Sequence, residues 1–114
     1  MKEYILLFRA DYIDIATVSV LETKERNDRW MDWINRLEAN DRLAEGGNHL
    51  NSGGKVMRSK GEITDGPYRE EKKSILGYIL IFASSLDEAV ELAKDCPLLA
   101  GENTSVEVRE ISGI

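Results

Sequence analysis

One cysteine, one histidine and two prolines are all that 114 residues hold of the residue types that most often staple, titrate or kink a small protein. A lone Cys96 excludes an internal disulfide and a cysteine-rich metal site. His49 has no further ligands at sensible spacing around it, so neither a metal nor another cofactor is expected. Long apolar runs are missing as well. The opening MKEYILLFRA carries five apolar residues in a row, too few for a signal peptide, and nothing approaches the length of a membrane span. A reducing cytoplasm is therefore the expected compartment. Basic charge is also scarce: 15 Lys and Arg stand against 21 Asp and Glu, for a net charge of −6. Nucleic acid and anionic membrane surfaces both need a dense basic face, so neither is an expected partner. Gly46-Gly47 and Gly53-Gly54 lack the Lys-Ser/Thr and helix start of a phosphate loop.

What remains is ordinary globular material, 42% hydrophobic and 32% charged, of a length that suits a single domain over residues 1–114. Glu3 to Arg9 is short, apolar and β-rich, and reads as a strand. ADYIDIATVS reads as a loop, closed by a Ser19-x-x-Glu22 capping box. A helix is predicted from Val20 to Asn40, with Trp30, Trp33, Ile34 and Leu37 as its buried stripe. Its acid-before-base pairs, Glu22/Arg26, Glu25/Arg29 and Asp32/Arg36, read as a solvated face. Asn40-Asp41 supplies a left-handed cap. RLAEGGNHLN is expected to be a short extended segment that breaks at Gly46-Gly47, and GGKVMRS and GEITDG a hairpin around Ser59-Lys60-Gly61. Leu76 to Ala83 is a strand. Ser85-x-x-Glu88 is a second capping box, and Leu86, Ala89, Val90 and Ala93 are the expected inner face of its helix. Ser105 to Ile111 alternates, with Val106 and Val108 inward and Glu107 and Arg109 outward.

The order β-α-β-β-β-α-β, with two helices on one side of an antiparallel sheet, is a ferredoxin-like α+β plan. Helices cover only one face of such a sheet, yet YILLF and LGYILIFA are apolar on both sides. A bare apolar face exceeds what monomers usually expose, so a homodimer of the α+β barrel type is expected, with a second copy covering that face. The alternative is that loops and the C-terminal strand cover it within one chain.

TDGPY ahead of the glycine-bearing strand LGYILI resembles the DGPF-type branch of the YCII-related family. YILLFR, LAEGGNHL, SLDEAVELAKDCP and SVEVREI agree with it in order, so the resemblance covers nearly the whole chain. It implies a ferredoxin-like fold, a homodimer, clefts near the dimer interface, and in the DGPF branch association with sigma factors. The YCII-like members proposed to be enzymes carry a His–Asp dyad. Anchored on RLAEGG, those positions fall near Trp30 and Ala39, so the dyad does not carry over. Asp65, Gly66 and Pro67 of the turn motif do, with Tyr68 where Phe is common.

Two readings of the site follow. In the first, the chain is a dimeric module that binds a small molecule or a partner protein, with Trp30, Tyr78, Gly66, Pro67 and Tyr68 as candidate ligand contacts. In the second it is an enzyme, with Asp65, alone or together with His49, as general acid or base on a small metabolite. Each of these residues has a plain structural reading as well. Asp65 can accept amide N–H bonds in its own turn, and His49 can be a surface loop residue. Trp30, Trp33 and Tyr78 can serve the core. Cys96, at a helix C-terminus, is not an expected nucleophile, because the dipole there raises a thiol pKa.

Overall fold

The computed structural model describes residues 1–11 and 20–113, with the backbone alone of residues 20–22. Most of the loop predicted before the first helix, and the Ser19–Glu22 box, lie outside the described residues. The elements are β1 (Lys2–Ala10), α1 (Val20–Ala39), β2 (Leu43–His49), β3 (Lys55–Met57), β4 (Ile63–Asp65), β5 (Ser74–Ala83), α2 (Leu86–Ala93), a 3₁₀ turn (Pro97–Ala100) and β6 (Ser105–Glu110). Four strands make the main sheet in the order β2-β5-β1-β6, antiparallel at every pairing, and β3 and β4 pair separately. With the small hairpin set aside, this is the ferredoxin-like strand order, and the class is α+β as expected.

One element differs from the sequence reading. Residues 43–49 do not break at the glycines; they form β2, an edge strand of the main sheet. Pairing runs Leu43 to Ile81, Glu45 to Leu80 and Asn48 to Tyr78, so Gly46 and Gly47 together oppose a single residue. The glycines mark a β-bulge, which bends a strand without ending it.

Helix α1 stops where its backbone turns left-handed. Asp41 has φ 57°, its N–H reaches the Glu38 carbonyl at 3.0 Å, and the Arg42 N–H reaches Leu37 at 2.8 Å. These two bonds are the paired closures of a Schellman cap. Helix α2 starts on Ser85, whose hydroxyl accepts the Glu88 N–H at 3.1 Å. The returning half of the box is shifted by one residue. The Glu88 carboxylate takes the N–H and hydroxyl of Ser84, at 3.2 and 2.9 Å, and pairs with Arg42 at 3.1 Å.

The core lies between the sheet and the two helices. Tyr4, Leu6 and Phe8 of β1 and Ile79, Ile81 and Ala83 of β5 point to this side, since strand residues alternate between faces. Trp33 and Leu37 of α1 and Ala89 and Ala93 of α2 close over them, with Val106 and Val108 at the β6 margin. Each large side chain buried here contributes about 1.5–3 kcal/mol. The Trp33 indole N–H donates to the Leu92 carbonyl at 3.1 Å, which settles its one polar atom. Leu86 and Val90, expected on the inner face of α2, are instead 52% and 39% exposed. The helix rests on the alanines Ala89 and Ala93, which let it lie close to the sheet.

The other face of the sheet carries Ile5 and Leu7 from β1 and Tyr78, Leu80 and Phe82 from β5, all half-buried and all outside the core cluster. Glu107, Arg109, Glu45 and Asn48 flank them on the two edge strands. Beyond the sheet, the β3–β4 hairpin extends outward with Met57 and Ile63 at 79% and 60% exposure. The radius of gyration, 15.3 Å, accordingly exceeds the roughly 13 Å of a compact domain this long.

Removing the Ser85 hydroxyl leaves a helix amide without its partner, so Ser85→Ala is expected to cost about 1 kcal/mol in urea unfolding. The Glu88 carboxyl is held below its ordinary range, first by the hydroxyl and amide of Ser84 and then by Arg42. A carboxylate favoured in the folded state contributes above its unfolded pKa and stops contributing as pH falls through the folded one. The urea midpoint should therefore fall on acidification through and below the ordinary carboxylate range, and Glu88→Gln should flatten that fall.

Candidate functional site

A cavity of about 200 Å³ opens between the first half of α1 and the β2–β5 edge of the sheet. Its apolar wall is Phe8, Trp30, Leu76, Ile79 and Leu98, and its polar groups come from Arg26, Asn27, Asn48 and His49. Arg26 and Trp30 are four residues apart and so share one helix face. The aromatic rings are locked edge to face: Phe8 lies 4.9 Å from Trp30 at 75°, and Trp30 lies 5.3 Å from Trp33 at 69°. The His49 ring stands 6.1 Å from Trp30, tilted by 43°.

Glycine creates the remaining wall. At Gly47, with φ +66°, an added Cβ would sit 1.7 Å from the Tyr78 carbonyl oxygen; at Gly77 it would sit 2.6 Å from that of Asn48. The two backbones thus approach more closely than any side chain allows, and only glycine accepts both the contact and the left-handed turn. Gly46, between them in the bulge, would meet nothing within 4 Å, so its side of the cavity is open space.

The predicted site residues divide into two groups. Trp30, His49 and Tyr78 come together around this cavity. Tyr78 faces the other side of the sheet by alternation, where its hydroxyl accepts from the Asn48 amide at 3.1 Å. Asp65, Gly66, Pro67 and Tyr68 lie elsewhere, at the base of the β3–β4 hairpin. Asp65 is ion-paired with Lys55, and its side chain is 90% exposed. Gly66 turns at φ +85° and donates its N–H to the Gly54 carbonyl at 2.6 Å. Pro67 packs against Gly54, and Tyr68 lies with its ring 5.9 Å under the Arg58 guanidinium. The motif therefore has a complete local role in tying the hairpin's two ends together. Phe8, Arg26, Asn27, Asn48 and Leu98 are wall residues that sequence reasoning did not place in a site; Arg26 was read as part of a solvated helix face. The signal available for Arg26 was its four-residue spacing from Trp30.

Cys96 is 3% exposed, and burial pushes its thiol up to about 11. The amides of Leu98 and Leu99 at the start of the 3₁₀ turn act in the opposite direction and only partly offset burial. Among the described residues no three His, Cys, Asp or Glu side chains group as metal ligands, and no helix is long and apolar enough to cross a membrane.

The fold and cavity define a ferredoxin-like α+β protein with an aromatic cleft on the helix side of its sheet. In a comparison with known families, the YCII-related domain matches residues 16–112, and the chain belongs to that family. It is also similar to the uncharacterized protein R00369 of Rhizobium meliloti (strain 1021), 41% identical over 59 residues. That match covers 50% of this chain and 48% of the relative, so it spans about half of each.

Two outcomes test this geometry. Gly47→Ala is expected to destabilise by roughly 2–4 kcal/mol, from left-handed strain plus backbone overlap, whereas Gly46→Ala stays within about 0.5 kcal/mol, both read from chemical denaturation. Cys96 is expected to stay silent to Ellman's reagent at pH 8 in the folded protein and to react fully in urea.

Proposed function

We propose that this protein is a dimeric module of the DGPF type that binds a small molecule in the Trp30–His49 cleft. The observation that carries this reading is the cleft itself: a mostly apolar, aromatic-walled cavity with a few polar groups has the character of a ligand site. The glycine bulge supports it, since such bulges sit beside functional sites more often than chance would place them. Dimerisation through the open sheet face is supported by Ile5, Leu7, Leu80 and Phe82, which the core leaves uncovered. Asn48 and Tyr78 belong to that face by register and also line the cleft, so a second copy seated there would lie beside the ligand.

The enzyme alternative, with Asp65 and His49 as acid and base, has less support. Asp65 is engaged by Lys55 on the hairpin and does not line the cleft, which leaves His49 without a carboxylate partner among the described wall residues. Partner binding has its own observation, the exposed Met57, Ile63 and Tyr68 of the hairpin, which offer a protein an apolar contact. A sigma factor would be such a partner by family resemblance.

A thermal-shift screen against metabolites tests the ligand reading, because a molecule bound only to the folded state raises the melting temperature. Hits are expected to survive Asp65→Asn and to be lost with Trp30→Ala. Gly46→Val, which fills open space at the wall, guards against misfolding of the Trp30 variant and should remove the same hits. Hits that vanish with Asp65→Asn and persist in both cleft variants would overturn it.

A further inference from the structure

The cleft wall is chemically unlike the rest of the molecule. The chain carries 21 acidic side chains against 15 basic ones, yet among the described residues no Asp or Glu lines the cleft. Arg26 is the one Asp, Glu, Lys or Arg among the described residues of its wall. Arg26 also borders a second depression, which Asp11, Arg29 and Glu102 line. A cavity whose described wall holds an arginine and no carboxylate is suited to an anion.

The rest of the wall sets the shape of that anion. Phe8 and Trp30 hold each other edge to face at 4.9 Å, and the His49 ring stands 6.1 Å from Trp30, so a flat group meets aromatic surface on more than one side. A cavity of about 200 Å³ equals the liquid volume of roughly seven waters, enough for one ring and a small substituent. The guanidinium fork matches a carboxylate in two parallel hydrogen bonds, and the Asn27 amide and His49 ring border the same space. A phosphate dianion would find one cation among the described wall residues, which fits it less well. Resting on the cleft reading above, the geometry points to a small planar carboxylate, aromatic or conjugated, as the ligand class, with its ring against Phe8 and Trp30 and its charge on Arg26.

Benzoate and its neutral isostere benzamide separate charge from shape. In amide-correlation NMR spectra of the ¹⁵N-labelled full chain, benzoate is expected to shift the Trp30 indole and the Gly46 and Gly47 amides. Benzamide should bind about tenfold more weakly, the worth of one charge-assisted contact. Arg26→Gln should bring benzoate down to the benzamide level, Arg26→Lys should recover part of the difference, and an unmoved Trp33 indole reports that the fold persists. Equal binding of the two probes by the natural protein, or an unchanged preference in Arg26→Gln, overturns the ligand class. If metabolite hits move the cleft signals and neither probe does, the anion assignment fails and the cleft stands; if nothing moves them, both fail.

Discussion

Two helices can cover one face of a four-stranded sheet, and the two central strands of this one are apolar on both. That constraint organises the rest of the molecule. On the helix side, Trp33 and Leu37 of α1 and Ala89 and Ala93 of α2 close over β1 and β5 and make the core. On the other side the same strands present Ile5, Leu7, Leu80 and Phe82 with nothing from the described helices against them. The edge strands bring charge and amide groups to that side, Glu107 and Arg109 on β6 and Glu45 and Asn48 on β2. An apolar centre inside a polar rim is how protein interfaces are arranged, and it is the ground for proposing a second copy there.

The cleft arises where the helix layer and the edge strand part. Strand β2 would lie flat on β5 if its pairing were regular. Two glycines opposite one residue bend it, and Gly47 and Gly77 allow the backbones to meet where no Cβ fits. The space beside the bulge is then bounded by the Phe8–Trp30 pair and by Leu98 of the 3₁₀ turn. Trp30 thus has two jobs: one face belongs to the packing against Phe8 and Trp33, and the other to the cavity.

Much of this was legible in the sequence. The stripe Trp30, Trp33, Ile34 and Leu37, the doubly apolar strands and the alternation of Ser105 to Ile111 each have one physical reading, and the structure has each of them where periodicity put it. Gly46-Gly47 does not have one reading. Paired glycines end a strand as readily as they bulge it, and only the partner strand β5, some thirty residues on, decides which. The site was half legible for the same reason. Trp30, His49 and Tyr78 meet through pairing of β2 with β5 and packing of α1, all long-range contacts. Asp65 and Gly66 stood out because turn chemistry is local, and the contacts the structure gives them, with Lys55 and Gly54, are local too. Arg26 was read with Glu22 as part of a solvated helix face, although its spacing from Trp30 turns it toward the cleft.

The uncovered face of β1 and β5 is the feature on which the proposed second copy rests. Sedimentation velocity at micromolar concentration measures it most directly. A particle of twice the 12.9 kDa chain, reduced to a single chain by Leu80→Asp with the helical circular dichroism retained, is the expected result. A natural protein that sediments as one chain across that range, with the face left in water, would contradict it.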